Sequence, residues 1–305
     1  LAARAPMTHD ASHPAGDGPR TLAGRVAVVT GASRGLGRAI AEALWAEGAS
    51  LLLVARGAAA LEELTRTLGE RGDGAQTVDA CAADLADPAT PARIAAAALA
   101  RWNRIDVLVN DAALLGPIGR LWQTDREAWD TTLRVNLLAP VDLCRRVVPS
   151  MIERGDGRIV NVSGGGASTP LPHFSAYATA KAGLVRFSET LANELAGTGV
   201  EVNCLAPGPL DTRMHAEIRA AGEAAAGAAM SRLAREVLEA GSAPMERAAA
   251  LAVFLASPAS AGITGRLVSA VWDPWPALAA RREELAHSDV YTLRRVSPSD
   301  RGKEW

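Results

Sequence analysis

Tyr177 and Lys181 stand four residues apart in the run Tyr-Ala-Thr-Ala-Lys. On a helix they share one face. A phenol can hand a proton to a carbonyl oxygen as hydride reaches the carbon, or take it back in the reverse direction. A free tyrosine, with a pKa of about 10, is a poor base at neutral pH. A neighbouring ammonium stabilises the phenolate, and lowering that pKa by roughly three pH units corresponds to about 4 kcal/mol. The pair therefore assigns Tyr177 as acid/base and Lys181 as its tuner. Sites of this kind usually have a serine near the end of the preceding strand. Here that stretch reads Ser163 followed by Gly164, Gly165 and Gly166.

A second constellation lies near the start, in Thr30-Gly31-Ala32-Ser33-Arg34-Gly35-Leu36-Gly37. Glycines let a backbone turn tightly and approach a pyrophosphate, which then sits at the positive N-terminus of the following helix. The loop has the required apolar strand before it and an amphipathic helix after it. Gly31, Ser33, Arg34, Gly35, Leu36 and Gly37 are thus the expected phosphate cradle. After the second strand the chain reads Val54-Ala55-Arg56, with no carboxylate to hold a ribose 2′-hydroxyl. Two guanidinium groups, Arg34 and Arg56, suit a 2′-phosphate instead, so the expected cofactor is NADP(H).

Elements that could position these groups follow from periodicity. Apolar runs at Val26–Thr30, Ser50–Val54, Thr77–Ala80, Ile105–Asn110, Arg158–Ser163, Val200–Leu205 and Arg266–Val271 read as strands. Helical patterns separate them, among them Gly35–Glu47, Tyr177–Leu195 and a long stretch from about Arg126 to Arg154 interrupted by Pro140 and Pro149. Seven strands alternating with helices define an α/β class: a single Rossmann-type doubly wound parallel sheet with helices on both faces. The expected organisation is a poorly ordered N-terminal arm at 1–24, one Rossmann domain at 25–272 and a C-terminal extension at 273–305. Within the domain, 209–243 breaks the rhythm and reads as a substrate lid.

Taken in order, the glycine loop, Asp84-Leu85, Asn110-Asp111-Ala112-Ala113, Asn136, Tyr177/Lys181 and Pro207-Gly208 make the chain from about Arg25 to Val271 resemble the short-chain dehydrogenase/reductase family. The resemblance implies that Asp84 contacts the adenine with Leu85 beside it, and that Asn110 and Ala112 lie near the adenosine ribose. It implies that Pro207, Gly208 and Thr212 hold the carboxamide side of the nicotinamide, that Lys181 also bonds the nicotinamide ribose, and that Asn136 holds a relay water behind Lys181. Two departures stand out. The family usually reads Asn-Asn-Ala-Gly where this chain has Asp111 and Ala113. The family's catalytic serine commonly lies 13 residues before the tyrosine, which here is Gly164. Ser163 would then point away from the substrate unless the glycines let the chain bulge. Ser168 and Ser175 are weaker substitutes, and His173 is a candidate substrate contact.

These features imply an NADP(H)-dependent oxidoreductase acting on a small-molecule carbonyl or secondary alcohol. The alternatives are an NADP-binding protein with little turnover, serving as a scaffold or sensor, and a dehydratase or isomerase on the same fold. A net charge of -2 shows no nucleic-acid or membrane-binding footprint. No apolar run is long enough to span a bilayer, and the first two dozen residues do not read as a signal peptide. Cys81, Cys144 and Cys204 are scattered, which suits a reducing cytoplasm, and the five histidines show no metal spacing. The family resemblance implies a homodimer or homotetramer. Trp272 and Trp275 around an Asp-Pro turn are expected to anchor the C-terminal extension on the body or on a neighbouring subunit.

Overall fold

The computed structural model describes residues 20–239 and 243–304. Most of the expected N-terminal arm (residues 1–19), residues 240–242 of the lid segment and the final Trp305 lie outside them. Seven strands run in chain order: β1 (Val26–Thr30), β2 (Ser50–Ala55), β3 (Val78–Ala82), β4 (Val107–Asn110), β5 (Gly157–Val162), β6 (Val200–Ala206) and β7 (Leu267–Ser269). They form one parallel sheet in the order β3-β2-β1-β4-β5-β6-β7. β1 pairs on both sides, with Val28 opposite Leu52 and Leu108. The chain reverses its winding between β1 and β4, and a doubly wound sheet opens a crevice at that point, beyond the carboxyl ends of the strands.

Helices cover both faces. α1 (Gly35–Ala46) and α2 (Ala58–Arg71) pack with α9 (Met245–Ala256) in one core, where Leu36, Ile40 and Leu44 meet Leu61, Leu64, Leu251 and Leu255. α3 (Thr90–Trp102) and α5 (Ala139–Arg154) fill the other, with Ile94, Leu143, Val147 and Met151 against β4 and β5. The remaining body helices are α4 (Arg126–Leu133), α6 (Ser175–Glu194), α7 (Arg213–Ala226) and α8 (Ala228–Glu239).

The stretch from Arg126 to Arg154 is interrupted at one place rather than two. α4 leads into a single π turn, Arg134–Leu138, and then into α5. Pro140 has no N–H, so the carbonyl of Asn136 loses its ordinary α-helical donor, and the widened turn accommodates the loss. Pro149 is carried inside α5.

Both ends of the described chain pack on the body. Residues 20–24, expected to belong to the poorly ordered arm, form a turn; Leu22 is fully buried and its N–H donates to Glu47 O at 3.0 Å. The C-terminal extension runs through a 3-10 turn at Trp275–Arg281 and a short helix, α10 (Arg282–Ala286). Trp275 is buried with its ring 5.8 Å from that of Phe254, and Leu278 and Leu285 join the same core. The strand edge at β7 is covered: Leu267 N–H donates to Tyr291 O at 2.8 Å. Arg266 holds the chain by donating to the carbonyls of Ser288 (2.9 Å), Val290 (2.7 Å) and Leu285.

Candidate active site

The loop after β1 makes the floor of the cleft because of its glycines. Gly31 and Gly35 adopt φ of 74° and 54°, the left-handed region that glycine enters without strain. A Cβ on Gly31 would stand 2.9 Å from Ala112 N, and one on Gly37 would collide with the Gly31 carbonyl. Only bare backbone lets α1 begin this close to β1 and β4, which leaves its N-terminus open toward the crevice.

That crevice is a cleft of about 1600 Å³ at the carboxyl ends of the strands. It is lined by Gly31, Ser33, Arg34, Gly35 and Leu36 from the loop, Arg56 after β2, Asp84 and Leu85 after β3, and Ala112 after β4. Ser163 and Gly164 after β5, Tyr177 and Lys181 on α6, and Pro207, Gly208 and Thr212 after β6 complete the far side. Arg34 and Arg56 are exposed, and neither forms an ion pair with another described residue.

Five residues singled out from the sequence, Gly37, Asn110, Asn136, His173 and Ser175, do not line the cleft. Gly37 sits behind the loop, where its lack of a side chain permits the helix–strand approach. Asn110 closes β4, but its side chain turns into the sheet: Nδ2 donates to Asn161 Oδ1 at 2.8 Å, and Asn161 Nδ2 donates to Ser188 Oγ at 2.8 Å. Asn136 spends both side-chain atoms on Leu114, accepting from its N–H and donating to its carbonyl, each at 2.8 Å. Its side chain therefore fixes the segment after β4, and its main-chain carbonyl is the group left without an α-helical donor. His173 has φ 73° and packs beside Gly227 between α7 and α8. Ser175 Oγ accepts from Trp129 Nε1 at 3.1 Å, while Ser168 lines the cleft.

Tyr177 and Lys181 lie one turn apart on α6, both buried. Lys181 Nζ donates to Val162 O at 2.6 Å and sits 5.9 Å from the Tyr177 ring centroid. The expected lowering of the Tyr177 pKa is not found. Burial pushes the phenol up to about 12, and the charge of Asp111 adds to the rise. Burial also pushes Lys181 down to about 8, against the pull of Asp111 and Cys204. The physical reason is that desolvating a phenolate costs more than a lysine committed to a carbonyl returns.

On the neighbouring loop, Ser163 follows the last residue of β5 and its N–H donates to Leu205 O at 2.7 Å. Its Oγ is buried with no hydrogen-bond partner among the described residues. Gly164 is the residue against the phenol: a Cβ there would overlap the Tyr177 hydroxyl and stand 3.2 Å from Cζ. Of the three glycines, only Gly166 has a positive φ, at 89°.

Asp111 is the feature that motif reading passed over as a mere departure. Its Oδ2 would lie 2.9 Å from a Cβ on Gly31 and 2.5 Å from one on Gly37, so the carboxylate is tucked behind the glycine loop. Burial raises its pKa to about 7, opposed by Lys181 and by a hydrogen bond from the Gly37 N–H. The signal was present in the sequence, as an acid where an amide is usual. The segment after Pro207-Gly208 was visible only as a break in rhythm. It is a helical hairpin, α7 and α8, and Met214, His215, Ile218, Met230 and Leu233 face the cleft.

Glycine loop and winding reversal, with a buried Tyr/Lys pair in the same crevice, are features of the dinucleotide-binding α/β class. The short chain dehydrogenase model matches residues 25–223. The D-threitol dehydrogenase of Mycolicibacterium smegmatis is 39% identical over 247 residues, covering 80% of this chain and 90% of that protein. A short-chain type dehydrogenase/reductase of Picea abies is 35% identical over 199 residues, covering 63% and 73%. Among solved structures, a candidate NAD(P)-dependent gluconate 5-dehydrogenase from Beutenbergia cavernae with bound NADP superposes with a TM-score of 0.73 at 35% identity, over 83% of this chain and 97% of that one. An NAD+-bound xylitol dehydrogenase, 21% identical with a TM-score of 0.75 over 83% and 99%, shares the fold. This chain belongs to the short-chain dehydrogenase/reductase family and is an oxidoreductase of that type. Among the described residues, no helix is long and apolar enough to cross a membrane.

Proposed function

We propose that this oxidoreductase uses NADP(H) to interconvert a carbonyl and a secondary alcohol, with Tyr177 as acid/base. The observation that carries the reading is the placement of Tyr177 and Lys181 in the same cleft as the glycine loop and two guanidinium groups that have no ion-pair partner among the described residues. The residues fit the dinucleotide: Gly31 and Gly37 let α1 begin close against β1 and β4 with Ser33, Gly35 and Leu36 lining the cleft at its N-terminus, and Arg34 and Arg56 offer planar forks for a 2′-phosphate. The nicotinamide supplies or accepts hydride when bound.

This chain's own residues do the rest. Tyr177 Oη gives its proton to the developing alkoxide, and a phenol with its pKa raised by burial remains protonated until that oxygen arrives. Lys181 holds positive charge beneath the phenol and is oriented by the Val162 carbonyl. The apolar lid limits water around the transferred proton. Gly164 offers no hydroxyl to the same oxygen. Its position, with Asp111, also favours a second reading, a dinucleotide-binding protein with weak turnover.

The test compares affinities for NADPH and NADH in wild type, Arg34→Ala and Arg56→Ala. Each alanine should weaken NADPH by about 10-fold or more and leave NADH nearly unchanged. Wild type that does not prefer NADPH, or variants that weaken both cofactors equally, would refute the assignment. Turnover of a carbonyl panel then separates the enzyme from the weak-turnover reading.

A further inference from the structure

We propose that the substrate side of this cleft takes an apolar ketone or its secondary alcohol, not a polyhydroxylated one. The inference rests on the proton-transfer reading of Tyr177. It runs against the simple transfer of substrate from the threitol and gluconate enzymes named above, so it has to come from the walls of this cleft.

The walls around the phenol are apolar. Tyr177 packs in one cluster with Leu115, Phe174 and Ile218, and Met214 and Met230 of the lid pack against that cluster. Leu171 and Leu233 also face the opening. Charged side chains lining the lid face are largely committed elsewhere. Arg213 Nε donates to Glu217 Oε1 at 2.7 Å. Arg219 lies 3.6 Å from Asp211 Oδ1 and donates to Ala234 O at 3.4 Å. Asp273 accepts from the Ser269 N–H at 2.7 Å.

Gly164 matters as much as the lid. The position that closes on the Tyr177 hydroxyl presents backbone and hydrogen only, so the carbonyl oxygen meets the phenol without a serine beside it. Among the described residues, two buried side-chain atoms of the cleft lack partners, Ser163 Oγ and His215 Nδ1, while the lining hydroxyls of Thr131, Ser168 and Thr212 belong to half-buried or exposed residues. Burial holds the His215 pKa down, so it stands neutral at physiological pH. Two such atoms can serve at most two groups of a buried ligand. They cannot serve a row of hydroxyls. Each hydroxyl buried without a partner weakens binding by about ten-fold or more. Each methylene buried against these walls tightens it by about three- to four-fold.

The experiment is a titration of 2-alkanols from four to nine carbons, and of threitol, followed by ligand-detected NMR on the full chain with and without NADP+. We expect affinity to rise about three- to four-fold per methylene over at least three steps, and threitol to bind at least ten-fold more weakly than 2-butanol. Met230→Gln and Leu171→Asn, both half-buried positions, should flatten the chain-length series while the NADP+ affinity stays within two-fold. A flat series in wild type, threitol binding as well as 2-butanol, or an unchanged series in both variants would overturn the inference. NADP+ that fails to bind while the alkanol series holds would overturn the cofactor reading alone. NADP+ binding with a flat series would overturn this inference alone.

Discussion

Replacing Gly164 with alanine tests the geometry of the reacting hydroxyl most directly. The new Cβ would overlap Tyr177 Oη and crowd Cζ at 3.2 Å. Phe174 and Tyr177 are buried in the same cluster, and α6 anchors the phenol from below, so the ring has little room to withdraw. Overpacking of this kind typically costs about 1–3 kcal/mol of stability. The phenol oxygen must move by about 1 Å, and a displacement of that size near the reacting atoms can lower kcat by about a hundredfold. Gly164→Ser carries the same Cβ, so restoring a serine should lower activity rather than raise it. The assay is a double-mutant cycle with Tyr177→Phe, read by thermal or denaturant unfolding, together with kcat in the tyrosine background. Gly164→Ala should destabilise the tyrosine protein by about 1–3 kcal/mol and the phenylalanine protein by clearly less, because the clashing oxygen is gone. Dinucleotide affinity should change by less than about three-fold, since the glycine loop lies on other strands. Equal destabilisation in both backgrounds, or Gly164→Ala with unchanged melting and kcat, would show that the phenol does not occupy the space over Gly164.

Three further outcomes are expected. Asp111 has a folded pKa near 7 against an ordinary value of 3.8, so its share of stability is present below about pH 4 and is lost as pH rises through 7. Asp111→Asn should therefore gain about 1–2 kcal/mol on wild type at pH 8.5 relative to pH 5. That is less than the ~4 kcal/mol of the full displacement, because roughly 1.6 kcal/mol of it is already lost by pH 5 and because Lys181 loses its neighbour; melting curves at both pH values check it, and no pH-dependent difference would refute it. Ser163→Ala removes a buried hydroxyl that has no partner, so unfolding should be unchanged or stabilised by up to about 1 kcal/mol, with turnover falling less than about tenfold; a collapse of rate with cofactor binding intact would make Ser163 catalytic. Truncation after Pro276 strips Leu278 and Leu285 from the core and leaves the Arg266 guanidinium and the Leu267 N–H without their carbonyl acceptors. Stability should fall by about 3–5 kcal/mol, and size-exclusion with light scattering should show new association through the uncovered β7 edge; a truncated chain with wild-type melting and mass would refute this.

Local pattern was enough for the scaffold. Apolar runs bounded by glycines specify parallel strands whatever surrounds them, and the Gly31–Gly37 spacing specifies a turn whose backbone must lie bare against β4. Tyr177 and Lys181 were legible because the helical repeat alone puts them on one face. What pattern could not supply was the environment of those groups. Burial, not the lysine, dominates the phenol, because desolvation depends on every element packed around α6. Side-chain direction was equally hidden: Asn110 and Asn136 sit where their motifs place them, yet their amides are spent on Asn161 and Leu114, partners 51 and 22 residues away. The lid lacked a clear apolar stripe because its buried side chains, Ile218, Ala226, Ala234 and Val237, are sparse and mostly small. Only the assembled cleft shows that this hairpin brings an apolar wall to the phenol, and that the residue over the phenol hydroxyl is a glycine. Such facts depend on contacts between residues far apart in the chain, which no local period records.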